Sequence, residues 1–547
     1  MKKILEILLP VILSLHCSKS DETVMSRNTY TTNGPRSAGD MLIYSMRSEP
    51  TTLNPITATD TYESIINSFI YEALIERDPV TFEWKPLLAH KWEISQDKLK
   101  YKFYLRKGIK WHDGREFTAA DVLFSFNKIK DPKVDAPALR NYYKDVKKLD
   151  VLDEYTVEFT YSKPYFMALE FCGGMPILPA HIFGTGDFNK HPNNRHSVGT
   201  GPYVFEKWET LKQIVIKRNT AYWRKERSSY LDKIAFKIIS DDTVRLQLLK
   251  KGNMDTAELR PIQWVKQTSS SRFNKKFRKL SFYTPYYNYI GWNLRKPYFS
   301  DRNVREALTR LLDRTSILKN LLYGLGETTT GPFYIFSKDY DPSVKPYDYD
   351  VKKAMELLAR AGWKDSNNDG ILDKDGVDFK FTFLIANGST FAEQLATILK
   401  ENYRKVGIVM EIKKLEWASF IQHIEDRKFD SVSLGWSMGI ETDPYQLWHS
   451  TQTERGSNFV GFKNARADEL IEKARSEFDE TKRREMYREL HRIIAFEQPY
   501  TFLFCSKSLV AVEKRFQNTK TYNVRPGVDI TEWWVPPSLQ VWKNVLQ

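Results

Sequence analysis

The stretch DSVSLGWSMGIETDPYQLWHS, residues 430–450, determines how the rest of the chain is interpreted. Behind its first aspartate, apolar residues alternate with serines, which predicts a strand, and Gly435-Trp436 ends the alternation. A loop that carries two acids, Glu441 and Asp443, follows. A strand that opens into an acidic, aromatic loop is typical of the carboxyl edge of an α/β sheet, where ligands bind in a crevice. The stretch therefore predicts one wall of a ligand cleft, in a protein that binds rather than catalyses.

The residues before this stretch predict a doubly wound α/β unit. Apolar periodicity alternates between strand and helix in four segments: a strand at 379–385, a helix at 391–403, a strand at 408–414 and a helix at 417–424. Strands separated by helices pair in parallel, so the loops that follow them emerge at the same edge of the sheet. Asn387, in the first of these loops, is therefore predicted to reach the cleft.

Composition and charge limit the class of protein. The 547 residues, 41% of them hydrophobic, provide enough core for three or four units of about 150 residues each. The 14 Trp, 29 Tyr and 32 Phe residues also suit pockets for ligands of mixed polarity. The net charge is +14, but Lys and Arg are interleaved with Asp and Glu, and the densest basic run, 275–279, is short. Nucleic-acid binding is therefore not expected.

The three cysteines, Cys17, Cys172 and Cys505, are far apart in the sequence. Their spacing supports neither a metal site nor a disulfide framework. The apolar neighbours of Cys172 and Cys505 predict buried free thiols. No cofactor and no metal are expected.

The N-terminus has the pattern of an export signal. Two lysines precede a mostly apolar run at 4–15, which is too short to span a membrane. Cys17 and the polar segment after it resemble the signal of bacterial lipoproteins, in which the cysteine is diacylated and becomes the mature N-terminus. Ser14 and His16 stand where that pattern usually has Leu and a small residue, so an ordinary export signal with an incidental cysteine is the alternative. Residues 18–39, rich in Ser, Thr, Asn and Gly, predict a flexible tether.

Several motifs carry a resemblance to a known family. Within LRKGIKWHDGREFTAADVLFS, residues 105–125, Thr118 and Asp121 predict a capping box that starts a helix. The whole segment closely resembles the signature of the bacterial extracellular solute-binding proteins, family 5, which are the dipeptide- and oligopeptide-binding receptors of ABC importers. Further matches stand in the family's order and cover essentially the whole mature chain: EPTTLNP (49–55), GTGPYVFEKWE (199–209), NTAYWR (219–224), WNLRKPYFSDRNVREALTRLLDR (292–314), WKDSNNDG (363–370) and the LGWS to DP loop (434–444).

The resemblance implies an α/β fold of the type II, cluster C, periplasmic-binding-protein class. Such a protein has two lobes of mixed sheet flanked by helices, an extra small subdomain, and a hinge that closes the lobes over the ligand. The expected division of the chain is a signal peptide at 1–17, the tether at 18–39, the first lobe at 40–85, the small subdomain at 86–196, the first lobe again at 197–293, the second lobe at 294–510 and a return to the first lobe at 511–547.

The implied function is that of the binding component of an ABC importer, which captures peptides and delivers them to a membrane permease and its ATPase. The chain contains no GxxxxGK[ST] phosphate-binding motif, so it is not expected to hydrolyse the nucleotide itself. The family also binds nickel complexes, haem, glutathione and oligosaccharides, and these remain alternative ligands. The expected protein is an exported monomer on the periplasmic or cell-surface side, anchored to the membrane through Cys17.

The resemblance also implies site residues. In the family's peptide receptors, an aspartate three residues after the cleft tryptophan pairs with the ligand's N-terminal ammonium, and here that position is Gly439. The predicted anchor is therefore Glu441 or Asp443, unless the anchor is absent. Trp436 is expected to stack on the ligand. The other predicted ligand contacts are Gly435, Trp448, Tyr62 and Asn387.

Two motifs offer alternatives to this interpretation. GWSMG, residues 435–439, matches the GxSxG elbow of serine hydrolases, but the helix that must follow the elbow directly is not expected before Pro444. Residues 365–373 match the first half of a calcium loop, but its twelfth position is Gly376 instead of Glu. A turn rich in Asx residues is therefore favoured over a calcium site, and binding over hydrolysis.

Overall fold

The structure is a computed structural model that describes residues 35–227, 229–439 and 441–542. Cys17, the predicted export signal and most of the predicted tether lie outside the described residues.

The described strands are, in chain order, β1 Met41–Met46, β2 Ile75–Arg77, β3 Trp84–Pro86, β4 Ala89–Ile94, β5 Lys100–Leu105, β6 Val146–Asp153, β7 Thr156–Tyr161, β8 Tyr203–Glu209, β9 Gln213–Arg218, β10 Lys233–Ile238, β11 Thr256–Glu258, β12 Phe277–Phe282, β13 Tyr286–Trp292, β14 Gly326–Thr328, β15 Asp373–Lys374, β16 Val377–Asp378, β17 Lys380–Ala386, β18 Val409–Leu415, β19 Ser431–Ser437, β20 Tyr500–Phe502, β21 Phe504–Ser506 and β22 Ser508–Glu513.

The described α-helices are α1 Thr61–Ile70, α2 Ala119–Lys130, α3 Pro137–Tyr142, α4 Ala168–Gly173, α5 Ala180–Phe183, α6 Asp242–Lys251, α7 Ser271–Lys276, α8 Pro297–Ser300, α9 Arg302–Arg310, α10 Arg314–Asn320, α11 Val351–Arg360, α12 Thr390–Arg404, α13 Trp417–Glu425, α14 Tyr445–Trp448, α15 Ala465–Ser476 and α16 Glu480–Glu497. Within the described ranges, no helix is both long enough and apolar enough to cross a membrane.

The first lobe is built on a seven-stranded sheet in the order β12-β22-β11-β1-β10-β9-β8. β1 lies at its centre and pairs in parallel with both β10 and β11. These three strands therefore end at one edge of the sheet. That edge carries the first-lobe wall of the cleft described below.

The second lobe is built on a five-stranded sheet in the order β18-β17-β19-β13-β20. β17 pairs in parallel with β18 and with β19, which confirms the predicted doubly wound unit. Successive residues of β13 point to opposite faces, so Ile290 and Trp292 pack in one apolar core and Tyr287 and Tyr289 in the other. This mixed sheet, in which β13 runs antiparallel to β19 and β20, is thus buried on both sides.

The chain crosses between the lobes earlier than the sequence predicted. β12 belongs to the first-lobe sheet and β13 to the second-lobe sheet, so the first crossing lies at 283–285 and not after residue 293. The return crossing lies at Lys507, between β21 and β22, and not after residue 510. The prediction was wrong because it assigned β13 to the first lobe, whereas this strand hydrogen-bonds to β19 and β20.

The small subdomain is a four-stranded antiparallel sheet, β4-β5-β7-β6, covered by α2. The predicted capping box starts α2: the Thr118 side chain accepts from the backbone at Asp121, and the Asp121 side chain accepts from the Thr118 N–H at 3.0 Å. Buried side chains of this sheet, such as Phe103 and Phe159, belong to the same apolar core as those of the first lobe. The subdomain and the first lobe therefore share a continuous core.

Cys172 and Cys505 are buried free thiols, as predicted. Burial raises the pKa of both thiols well above the ordinary value, so neither is poised to react at neutral pH.

Candidate ligand cleft between the lobes

β19, the strand predicted to line the cleft, has an unoccupied backbone edge. On one side it pairs with β13 along its whole length, from Ser431 to Ser437. On the other side its pairing with β17 is confined to Ser431 and Val432. The side of Ser433–Ser437 that faces away from β13 has no strand partner among the described residues, and we call it the open edge. Unpaired N–H and C=O groups of this kind can add a further extended chain to the sheet.

Gly435 in the open edge has no side chain that could clash with the neighbouring Tyr286. A Cβ at this position would overlap the hydroxyl end of the Tyr286 side chain. That hydroxyl accepts a hydrogen bond from Asn288 Nδ2 at 2.7 Å, and burial raises its pKa to about 12. The glycine therefore leaves room for the Tyr286 side chain against β19.

Trp436 is half-buried on the second lobe. Its ring is parallel to those of Tyr289 and Phe459, with centroids 6.4 and 5.8 Å away, and its Nε1–H donates to the Tyr500 hydroxyl at 3.3 Å. These contacts fix the orientation of the indole while leaving part of it exposed. The geometry fits the expected role of a rigid stacking surface, which remains a proposal.

Trp448, by contrast, is a core residue. It is 0% exposed, and its ring packs against Tyr500, Phe462 and Phe502 at centroid distances of 4.7, 5.9 and 6.3 Å. The prediction that it contacts ligand is corrected. The short helix α14 after Pro444 turns its side chain toward the core, which the sequence pattern did not show.

Glu441 forms an ion pair with an arginine on the first-lobe side of the cleft. Arg77, on β2, lies between two carboxylates: its Nη2 is 3.0 Å from Glu441 Oε1 and its Nη1 is 3.1 Å from Glu170 Oε2. Glu170 belongs to α4 of the small subdomain. One guanidinium faces two carboxylates here, and we call this end of the cleft the acidic end.

Burial is the main cause of a raised pKa at Glu170. Arg77 lowers this pKa and Glu441 raises it, and together the three effects bring it to about 7. Burial also raises the pKa of Asp339, which Arg483, Arg484 and Arg488 lower and Glu441 raises. A carboxyl group in a cleft whose pKa is shifted strongly by burial and nearby charges marks a candidate functional site.

Asp443 is fully engaged by the protein itself. Its Oδ2 accepts from the Tyr165 hydroxyl at 2.8 Å and lies 3.0 Å from Arg475 Nε, while its Oδ1 accepts from the Tyr445 N–H at 3.0 Å. Only 2% of its side chain is exposed. The hypothesis that Asp443 anchors a ligand amine is therefore corrected: its oxygens are taken by protein donors, and Glu441 is the remaining candidate.

The contact around Asp443 joins the small subdomain to the second lobe. Tyr165 and Phe166 follow β7 of the subdomain, whereas Arg475 is on α15. The Phe166 N–H donates to the Arg475 carbonyl at 2.9 Å, and the Arg483 guanidinium lies 4.3 Å from the centre of the Phe166 ring. Polar and aromatic contacts thus hold the two sides of the cleft together.

Tyr62 and Asn387, the two contacts predicted from chain position, lie on different walls. The Tyr62 hydroxyl accepts from the Arg47 N–H at 3.1 Å at the strand-end edge of the first lobe. Asn387 is exposed after β17, where its N–H donates to the Leu415 carbonyl at 2.7 Å. The structure does not bring these two residues together, and their contact with ligand remains a proposal.

The backbone around Ser437 does not have the geometry of a hydrolase elbow. Ser437 is the last residue of β19 and pairs with Tyr286 in the ladder, and the next helix begins only at Tyr445. An elbow requires the serine on a sharp turn directly between strand and helix.

The calcium-like segment forms the predicted Asx turn. Asp365 accepts from the N–H groups of Asp369 and Gly370 at 3.1 and 3.0 Å, and Asp369 accepts from that of Ile371 at 2.8 Å. Backbone donors thus use the oxygens that a calcium ion would need. Asp373, at the end of the motif, accepts from Ser366.

Sequence reasoning missed the residues that meet the acidic loop from outside the second lobe. Arg77, Glu170 and Tyr165 carry no motif, because their contacts are with residues 93 to 364 positions away. No local signal in the sequence identifies them.

Comparisons with known proteins agree with this architecture. The family model described as bacterial extracellular solute-binding proteins, family 5 Middle, matches residues 83–458. The oligopeptide-binding protein AppA of Bacillus subtilis is 32% identical over 545 residues, which cover 97% of this chain and 98% of AppA.

Solved structures show the same fold. AppA from Bacillus subtilis in complex with a nonapeptide has a TM-score of 0.84 and 30% identity, with 92% of this chain and 100% of that chain covered. DppA from Helicobacter pylori in complex with the peptide STSA has a TM-score of 0.81 and 25% identity, with 91% and 98% covered. NikZ from Campylobacter jejuni in complex with Ni(L-His) has a TM-score of 0.80 and 28% identity, with 92% and 100% covered.

Proposed function

The chain belongs to the bacterial extracellular solute-binding proteins, family 5, and we propose that it captures peptides between its lobes and delivers them to the permease of an ABC importer. The observation that carries this proposal is the open edge of Ser433–Ser437. An extended peptide added there makes main-chain hydrogen bonds whatever its side chains are. Such binding recognises the peptide main chain and shows little preference for particular side chains.

The acidic end supplies the second element of the proposal. A peptide along the open edge would place its N-terminal ammonium near Glu441 and Glu170, two carboxylates that both contact Arg77. A charge-assisted contact with a partly buried carboxylate holds one end of the ligand. Trp436, fixed by its neighbours, then stacks on the ligand beside this end.

The relatives support a peptide ligand. Two of the solved structures that share this fold contain a peptide, a nonapeptide and STSA. The third contains Ni(L-His), so a small non-peptide ligand is the alternative. Among the described residues, no cluster of three or more His, Cys, Asp or Glu side chains has the arrangement of a metal site.

Anchoring through Cys17 is part of the proposal. The cysteine follows a short apolar run and precedes a polar tether, as in the lipoproteins that its signal resembles. A single lipidated cysteine would keep the folded lobes on the outer side of a membrane, beside the permease. Cys17→Ser should abolish membrane partitioning, and unchanged partitioning would contradict the anchor.

The function is tested on the soluble fragment from Ser18 onward, purified without refolding. Native mass spectrometry should show co-purified masses that form a peptide ladder and disappear on denaturation. A single non-peptide mass, or a ligand-free protein that ignores peptide mixtures, would contradict peptide capture.

The open edge is tested with ligands, because changes in β19 would also disturb its pairing with β13. Titration calorimetry compares tetra-alanine with a series of its derivatives, each methylated at one backbone nitrogen. At one or more of these positions the methyl group should weaken the affinity by at least about tenfold. Glu441→Gln should weaken the free-amine peptide more than its N-acetyl form. Glu454→Gln, in an exposed loop of the same lobe, is the matched control. Equal binding by every methylated peptide would exclude the open edge as the binding surface.

A further inference from the structure

A cavity of about 210 Å³ lies on the second lobe. It is bounded by the C-terminal turn of α16, by strand β20 and by the segment 344–347, which precedes α11. Among the described residues that line it, none belongs to the open edge, to the acidic end or to the predicted ligand contacts. We call it the second-lobe cavity, and it is separate from the proposed peptide site.

Arg314, the first residue of α10, is a buried cation in the lining of this cavity. Only 6% of the residue is exposed. Its Nη1 donates to the Phe502 carbonyl at 3.0 Å and its Nη2 to the Tyr347 carbonyl at 2.8 Å. Burial lowers its pKa to about 10, and Asp348 acts on it through charge without a hydrogen bond. A buried charge with no paired counter-ion is costly, and a bound anion reduces that cost.

Two further cations line the second-lobe cavity. Lys345 is exposed, and its Nζ donates to the Pro342 carbonyl at 2.9 Å. Arg492 is 53% exposed and forms an ion pair with Asp341, which does not line the cavity. The described lining residues include no Asp and no Glu. Both exposed side chains are therefore free to turn toward an anion that Arg314 attracts.

The C-terminus of α16 does not oppose an anion as an uncapped helix end would. The last carbonyls of a helix carry partial negative charge. Here Arg302 Nε donates to the Phe496 carbonyl at 2.7 Å, and Arg305 Nη2 donates to the Glu497 carbonyl at 2.6 Å. Because these carbonyls are bonded to arginines, the positive charge of the lining dominates.

The remaining lining of the second-lobe cavity is largely apolar. It includes Val344, Pro346, Ala495, Phe496 and Phe502. Apolar walls with a few polar groups suit an organic ligand that carries one charged group. The volume is below the roughly 300 Å³ at which pockets for drug-sized ligands begin, so the ligand is small.

We propose that the second-lobe cavity binds a small organic carboxylate, such as a short fatty acid. The carboxylate would accept from the Arg314 guanidinium, which has N–H groups besides the two that donate to carbonyls. Arg492 and Lys345 would approach it from the open side, and the apolar chain would pack against Phe496 and Val344. The inference goes beyond the proposed function, because it adds a ligand site outside the cleft.

The same cations would attract inorganic phosphate, so the test separates the two anions. Titration calorimetry on the unaltered protein compares hexanoate, hexanamide and inorganic phosphate. Hexanoate should bind at least about tenfold more tightly than hexanamide, which lacks the charge. Phosphate should bind at least about tenfold more weakly than hexanoate, because it has no apolar body. An excess of tetra-alanine should leave the affinity for hexanoate unchanged.

Variants assign hexanoate to the second-lobe cavity. Arg314→Gln should weaken its binding by at least about tenfold. That substitution also removes two hydrogen bonds to backbone carbonyls and lowers stability. Ala495→Leu, which fills the cavity and preserves every charge, is therefore the second variant and should weaken hexanoate by at least about tenfold.

The exposed cations have matched controls on the same lobe. Arg492→Gln and Lys345→Gln should each weaken hexanoate by about two- to fivefold, the range of an exposed ion pair. Arg466→Gln removes a 47% exposed arginine that is also in ion pairs, and Lys400→Gln removes an exposed lysine of α12. Neither control should change the affinity for hexanoate.

Four results would overturn the inference. The first is equal affinity for hexanoate and hexanamide, or no binding of hexanoate. The second is phosphate that binds as tightly as hexanoate, which would identify a site for an inorganic oxyanion instead. The third is hexanoate binding that survives both Arg314→Gln and Ala495→Leu, and the fourth is displacement of hexanoate by tetra-alanine, which would place it in the cleft.

Discussion

The Tyr165 hydroxyl donates to Asp443 Oδ2 at 2.8 Å, although the two residues are 278 positions apart and lie on opposite sides of the cleft. Arg475 approaches the same carboxylate at 3.0 Å, with only 7% of its side chain exposed. This buried ion pair and its tyrosine form a contact that favours the closed arrangement of the lobes. A ligand that touches both walls would stabilise the same arrangement.

Asp443→Asn should lower the free energy of unfolding by about 3 kcal/mol, because it leaves the buried Arg475 without its nearest carboxylate. Asp145 is 3.6 Å from Arg475 and replaces that partner only in part. Urea unfolding of ligand-free protein measures the loss. Asp426→Asn, which removes a carboxylate that is 36% exposed, is the control and should change stability by less than about 0.5 kcal/mol. Unchanged stability together with lost peptide binding would restore Asp443 as the ligand anchor.

Gly435→Ala should destabilise the protein by about 1 to 3 kcal/mol, because the new methyl group overlaps the Tyr286 side chain. Backbone strain does not contribute, since the φ angle of Gly435 is not in the left-handed region. In a Tyr286→Ala background the same substitution should cost much less. Denaturant unfolding of the unaltered protein, the two single variants and the double variant measures the coupling energy between Gly435 and Tyr286. Additive effects would show that Tyr286 is not the cause.

Substitution of Trp448 should mainly reduce stability, whereas substitution of Trp436 should mainly reduce peptide affinity. Trp448→Ala should cost about 3 to 5 kcal/mol of stability, as for a large core side chain, with peptide affinity retained in the folded fraction. Trp436→Ala should weaken peptide binding by about tenfold with a smaller loss of stability. Thermal unfolding and calorimetry separate the two. Peptide binding that is lost in Trp448→Ala alone would place that ring in the cleft after all.

Glu170 should make peptide binding depend on pH. Its pKa is raised to about 7, so the folded protein keeps this proton to a higher pH than the unfolded chain does. The stabilisation from that proton is present below the ordinary glutamate pKa and is lost as pH rises through about 7. The ionised carboxylate that attracts an ammonium appears over the same range.

Affinity for a free-amine peptide should therefore increase between about pH 5.5 and 7.5, while most N-terminal amines are still protonated. Calorimetry at several pH values measures this. The N-acetyl peptide should show little change, and Glu170→Gln should flatten the profile. A profile that is identical in Glu170→Gln would assign the titration to another group.

Asp369→Ala should weaken the Asx turn by about 1 kcal/mol, because the Ile371 N–H loses its acceptor. Calcium should leave the melting temperature of both the unaltered protein and the variant unchanged. A calcium-dependent rise that the variant lacks would instead identify a calcium site.

Local patterns in the sequence predicted the elements whose formation depends on neighbouring residues. The alternation in β17, β18 and β19 and the helices between them gave their parallel order, and Thr118 with Asp121 gave the start of α2. Such signals suffice because hydrophobic periodicity and capping act over a few residues.

The tertiary structure decided the lobe assignments, burial and ion pairs that depend on residues far apart in the chain. The assignment of β13 to the second lobe, the burial of Trp448 and the pairing of Asp443 all come from contacts with segments far away in the chain. The sequence by itself determined the family, the doubly wound unit and a loop with two acids after its third strand. Only the folded chain decided that Asp443 pairs with Tyr165 and Arg475 and that Glu441 pairs with Arg77, because the partner of a carboxylate is set by the side chains that packing brings within about 3 Å.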